Sequence, residues 1–111
     1  MDYIQIMTTV ESHEDAEKIA LFLVEKRLAA CAQVIGPLKS YFHWQGNIDQ
    51  SDEYLCLLKS RRDLFDEFEK ALIEIHPYVV PEIVAVPLVA VGAGYLGWLA
   101  AELRQAETGT S

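Results

Sequence analysis

The chain has 111 residues, 51% of them hydrophobic, and 9 basic against 17 acidic side chains give a net charge of −8. One domain of that length buries a core without disulfides or a structural metal. The acidic balance opposes phosphate backbones and anionic lipid, so neither nucleic acid nor a membrane is an expected partner.

Cys31 and Cys56 belong to no Cys-x-x-Cys pair, and each lies in an apolar segment, so both are expected to be reduced and buried. Met1-Asp2-Tyr3-Ile4-Gln5 has no basic stretch leading into an apolar one, and the apolar run 83–99 is broken by Pro87, Gly92, Gly94 and Gly97. A cytoplasmic protein is the resulting expectation. The slight apolar excess points to a face covered by another subunit.

In chain order, Ile4 and Ile6 alternate with Gln5 across 3–9, a strand pattern. Ser12-x-x-Asp15 then resembles a capping box, and Ala16, Ile19, Ala20, Leu23 and Arg27 follow at helical spacing. Residues 28–35 are apolar up to Gly36-Pro37, and 39–44 resume as extended, aromatic chain, so Gly36-Pro37 is a bend or a break. Gln45-Gly46-Asn47 makes a turn, and 53–59 returns as the second strand of a hairpin. Asp63 and Asp66 open a second helix whose Phe65, Phe68, Leu72 and Ile75 share a face, ended by Pro77. Residues 83–91 form a strand placed at an edge or bulge by Pro87, and 95–103 a last helix with Leu96, Leu99 and Leu103 on one side. From 105 to 111 the chain is expected to be a disordered tail.

Strand–helix–strand–strand–helix–strand is the split βαβ, ferredoxin-like arrangement of the α+β class. Right-handed crossovers put its two helices on one face of the sheet. The extra C-terminal helix covers part of the other face, and partner subunits are expected to cover the rest.

No local spacing forms a catalytic signature. His13 reads as a solvated residue in a first helical turn, and His43 as a surface or interface residue facing away from Phe42 and Trp44. His76 ends the second helix, where it either caps the last carbonyls or serves as a ligand or polar anchor beside Tyr78 and Glu82. Lys59 is either a solvated strand end or an anion anchor facing a cleft.

Five strings carry a resemblance that the individual residues do not. They are Arg27-Leu28-Ala29-Ala30-Cys31, Trp44-x-Gly46, Glu53-x-x-x-x-x-Lys59, His76-Pro77-Tyr78-x-x-Pro81-Glu82-Ile83 and Tyr95-Leu96-x-Trp98-Leu99. In that order, over nearly the whole chain, they resemble the CutA family of divalent-cation tolerance proteins. The resemblance implies one ferredoxin-like domain over 1–104, a tight homotrimer similar in architecture to the PII signalling proteins, and no enzymatic activity. It also implies a cofactor, Cu(II) or another divalent metal, with His76 as a ligand. Trp44, Glu53, Lys59, Tyr78 and Glu82 are implied to line a ligand cleft between subunits. Copper-binding relatives can have a cysteine where this chain has Thr8 and a second histidine where it has Ile75, so a poorer soft-ligand set is expected. The alternative function is a PII-like module that senses a small anionic ligand through Lys59 and contacts a protein partner. An enzyme using His76 with Glu82 as an acid–base pair ranks last, for want of a nucleophile.

Overall fold

The computed structural model describes residues 2–107. Its elements are β1 (Tyr3–Val10), α1 (His13–Glu25), β2 (Cys31–Trp44), β3 (Asn47–Arg61), α2 (Phe65–Ile75), β4 (Val84–Pro87) and α3 (Ala93–Glu102). The four strands lie in the order β2-β3-β1-β4, and every neighbouring pair is antiparallel. This is the predicted split βαβ order with a third helix appended.

Register assigns each face its task. Ile4, Ile6 and Thr8 stand opposite Ser60, Leu58 and Cys56, and all six are buried. The Cys56 thiol reaches the Ala16 carbonyl of α1 at 3.7 Å, which places this face beneath the helix. Ala16, Ile19 and Leu23 of α1 and Phe68 and Leu72 of α2 complete the core. Each large side chain among them contributes ~1.5–3 kcal/mol by leaving water. The alternate residues, among them Gln5, Met7, Thr9, Leu55, Leu57 and Lys59, face the other way. On that side the Tyr95 hydroxyl of α3 meets the Cys31 thiol at 3.1 Å, so α3 starts over one end of the second face. Ile35, Val84 and Val86 stay exposed.

Local signals set the helix ends. The Ser12 hydroxyl accepts from the Asp15 amide at 2.9 Å, the capping bond its spacing predicts. Arg27, read as a helical position, instead lies past the cap at φ +56. Its amide bonds to Val24 and that of Leu28 to Leu23, the paired closure that ends many helices. The segment after it, 28–30, is buried loop, and β2 begins only at Cys31.

β2 and β3 form one long hairpin. Trp44 pairs with Asn47 across Gln45 and Gly46, whose φ values of +50 and +81 make a tight two-residue turn. Within β2 the cis Gly36–Pro37 peptide sits in a register shift, where Ile35 opposes Leu55 but Leu38 opposes Glu53. One extra residue reverses the parity of everything beyond it. Phe42 and Trp44 are thereby carried to the same face as Glu53.

Two further expectations about the C-terminal part need correction. β4 spans four residues rather than 83–91: the Leu88 amide makes a last bond to the Tyr3 carbonyl at 2.9 Å, and because β1 begins at Tyr3, residues 89–92 have no strand left to pair with. Of the tail expected at 105–111, Ala106 packs on the core and the Glu107 amide donates to Glu67 at 3.0 Å. Positions 108–111 lie outside the described residues.

Candidate functional site

Two adjoining hollows open where the hairpin passes the loop after α2. They share Phe42, Trp44, Glu53 and Tyr78, and have volumes of about 270 Å³ and about 920 Å³. β3 supplies Glu53, the displaced half of β2 supplies Phe42 and Trp44, and the Pro77–Pro81 loop supplies Tyr78. At their junction the Tyr78 hydroxyl donates to Glu53 Oε2 at 2.7 Å. Glu53 is only 7% exposed, so this bond stabilises a carboxylate that burial would otherwise penalise. Burial and the adjacent Glu53 carboxylate push the Tyr78 phenol well above its ordinary range, which keeps it a donor.

The charge of this cleft has one sign. Glu11 and Asp49 line the smaller hollow and Glu82 the larger, and among the described residues no lysine or arginine lines either. Glu11 is oriented by the Ser51 hydroxyl at 3.0 Å. Aromatic walls with several carboxylates suit a cation and repel an anion.

His76 lies just behind. It caps α2, its amide bonding to Leu72 at 2.9 Å, and its ring is buried. Nδ1 accepts from the Tyr78 amide at 3.1 Å, so the ring proton belongs on Nε2. Nε2 then faces the Thr9 carbonyl at 3.1 Å and the Thr8 hydroxyl at 3.0 Å. Burial lowers the His76 pKa below its usual value, against smaller opposing effects from the Thr9 carbonyl and the charges of Asp15 and Glu53. The ring therefore acts as a neutral strut. It joins the end of β1 to the loop that carries Tyr78.

A family model described as "CutA1 divalent ion tolerance protein" matches residues 4–102. The chain belongs to the CutA1 family. The Divalent-cation tolerance protein CutA of Thermus thermophilus is 42% identical over 94 residues, covering 85% of this chain and 91% of that protein. The human Protein CutA is 34% identical over 91 residues, covering 82% of this chain but only 51% of the human protein. Among solved structures, the Thermus thermophilus Cut A1 protein superposes with a TM-score of 0.89 at 38% identity, covering 92% of this chain and 99% of that one. CutA1 from Oryza sativa superposes at 0.92 with 28% identity, covering 95% and 96%.

Against this CutA1 frame the anticipated residues divide. Trp44, Glu53, Tyr78 and Glu82 do meet in one place. Lys59 does not: it lies six residues from Glu53, about 20 Å along an extended strand, and its ammonium donates to Gln33 at 3.3 Å. The metal role expected of His76 does not fit its surroundings, because both ring nitrogens already have protein partners. The Thr8 hydroxyl is one of those partners. Among the described residues no three histidine, cysteine, aspartate or glutamate side chains cluster closely enough to hold a metal. Glu11, Asp49 and Phe42 were not anticipated. Phe42 was accessible in principle, since an extra residue at Gly36-Pro37 fixes which hairpin residues share the face of Glu53.

Proposed function

We propose that this CutA1-family protein is a non-enzymatic homotrimer that contributes to divalent-cation tolerance by taking a cation, copper or another divalent metal, into the acidic aromatic cleft. The observation that carries this reading is the lining itself: Glu11, Asp49, Glu53 and Glu82, with no lysine or arginine beside them among the described residues, are too far apart to chelate an ion jointly but make a negative wall that attracts a hydrated cation. Carboxylates and water are hard ligands, so binding is weak and follows the general order in which copper leads. A phenol held protonated beside Glu53 supplies neither a nucleophile nor a base, which supports a binding role over catalysis. The exposed Ile35, Val84 and Val86 on one sheet face support assembly with further copies. No observation favours the anion-sensing alternative, whose Lys59 stands away from the cleft.

Two measurements test the proposal. Sedimentation equilibrium at micromolar concentration should give close to three times 12.5 kDa, and a stable monomer would remove the trimer. Calorimetric titration of metal-free protein with Cu(II) should show binding weakened several-fold by Glu53→Gln and unchanged by Lys59→Met. Equal affinity in wild type and Glu53→Gln would place the cation elsewhere.

A further inference from the structure

The two hollows of the cleft differ in chemistry as well as in size. Three carboxylates, Glu11, Asp49 and Glu53, border the smaller. Four aromatic residues, Tyr41, Phe42, Trp44 and Tyr78, line the larger, with Glu53 and Glu82 as its only charges among the described residues. We propose that the larger hollow binds an organic ammonium ion, one whose charge is sheathed in alkyl groups, such as a quaternary ammonium. This rests on the reading of the cleft as a cation site and names a second class of cation for it.

The aromatic walls are the first argument. An alkylated ammonium has no vacant orbital, so it needs no chelating cluster, and the described carboxylates form none. Its charge is spread over C–H groups, and the negative face of an aromatic ring attracts it, that of tryptophan most of all. The chain's own cations leave these rings free: Lys26 lies over Phe22 and Arg62 over Phe65, both outside the cleft. Among the described residues none of the four aromatics stacks on another, so no ring covers its neighbour's face. Trp44 is 59% exposed and Phe42 40%, apolar surface that a ligand with alkyl groups would cover. A volume of about 920 Å³ is also that of a small-molecule site rather than of a bare ion.

Glu53 is the second argument. It is more than nine-tenths buried, and its Oε2 takes the Tyr78 hydroxyl. Among the described residues no group donates to Oε1, and no buried side-chain oxygen is sealed off without a partner, so Oε1 stays open to solvent. A carboxylate so placed against apolar walls favours a counter-charge that brings its own apolar surface. A neutral apolar ligand would leave that charge unmatched, and an anion would be repelled by Glu53 and Glu82. The site is also preformed. Tyr78 is held by Glu53 at its hydroxyl and by His76 at its ring, with centroids 4.9 Å apart at 61°, so little ordering remains for a ligand to impose.

The test uses the full chain stripped of metal. Tetramethylammonium chloride, exchanged for sodium chloride at constant ionic strength, should change Trp44 fluorescence in a Trp98→Phe background along a saturating curve. tert-Butanol, a neutral molecule of similar shape, should bind about tenfold more weakly, since it lacks the charge that the rings and Glu53 attract. Followed by the methyl proton resonance of the ligand, tetramethylammonium affinity should fall roughly fivefold to tenfold in Trp44→Leu, the loss of one cation–π contact. It should fall several-fold in Glu53→Gln, and Cu(II) affinity should fall far less than this in Trp44→Leu. Absence of saturable tetramethylammonium binding, or equal binding of tert-butanol, would overturn this inference while leaving Glu53-dependent Cu(II) binding in force. Cu(II) binding indifferent to Glu53→Gln, with tetramethylammonium still dependent on Trp44, would remove the metal from the cleft and uphold the ammonium.

Discussion

The Tyr78 hydroxyl bonds to the Glu53 carboxylate at 2.7 Å across 25 residues of sequence, and this one contact ties the loop after α2 to the middle of β3. Because Glu53 is buried, the contact is both structural and part of the cleft wall. Its removal leaves an ionised acceptor without its donor, which costs more than an ordinary hydrogen bond contributes.

Tyr78→Phe should accordingly lower unfolding stability by ~1–3 kcal/mol, measured by urea denaturation at pH 7. Adding Glu53→Gln should recover part of that loss, because a neutral amide is cheaper to leave unpaired than a carboxylate. Strict additivity of the two substitutions would show that the bond carries no energy in solution.

His76 predicts a pH dependence of definite sign. Burial lowers its folded-state pKa, whereas the unfolded chain has the ordinary value of about 6.5. Below that value the unfolded state binds a proton that the folded state refuses, so stability falls as pH falls through the window beneath 6.5. One such group gives a slope of at most ~1.4 kcal/mol per pH unit. The stability difference between wild type and His76→Gln should therefore shrink from pH 7.5 to pH 5. A constant difference would mean that the ring is protonated, or neutral, in both states alike.

These residues also show how far the chain could be read unfolded. The capping bond of Ser12, the turn at Gln45-Gly46 and the strand order were legible because each rests on local chemistry or on a topological rule. The first half of β3 was not. Asp49, Gln50, Ser51 and Asp52 are polar on both faces, since this end of the hairpin extends away from the core and has no buried side to pattern. The surroundings of His76 were hidden for another reason: Thr8 and Thr9 lie 68 and 67 positions away, and only the crossover of α2 brings them near. The cleft was half legible, because its residues were named by resemblance while Lys59 belongs to another part of the same strand.

The two cysteines should behave differently, contrary to the expectation that both are buried. Cys56 is fully buried, and loss of solvation pushes its thiol up to about 11. Cys31 is partly exposed and shares a hydrogen bond with Tyr95, whose phenol is raised to about 12, first by that bond and then by burial. A thiol reagent at pH 8 should modify Cys31 in native protein and Cys56 only after unfolding. Equal native rates would contradict the placement of β2. Tyr95→Phe should accelerate Cys31 labelling by opening access at its sulfur.

Gly36 offers the sharpest test of how the cleft is built. A methyl group there would lie 2.7 Å from Tyr54 Cδ1, 3.0 Å from the Glu53 carbonyl oxygen and 3.1 Å from Tyr54 Cα, at a backbone φ of +155 that side chains rarely adopt. Two of these three neighbours are backbone, so the clash cannot be relieved by rotating a side chain. Gly46 is the control: its φ is +81, but nothing lies within 4 Å of an added methyl. Gly46→Ala should cost only the backbone strain, about 1–2 kcal/mol, and leave Trp44 fluorescence in a Trp98→Phe background nearly unchanged. Gly36→Ala should cost more than Gly46→Ala in the same denaturation experiment, because steric overlap adds to the strain. It should also shift Trp44 emission, since the extra residue at 36–37 is what turns Trp44 to the Glu53 face. If Gly36→Ala proved no more damaging than Gly46→Ala, with Trp44 emission unmoved, the register shift would not be what holds the aromatic wall in place.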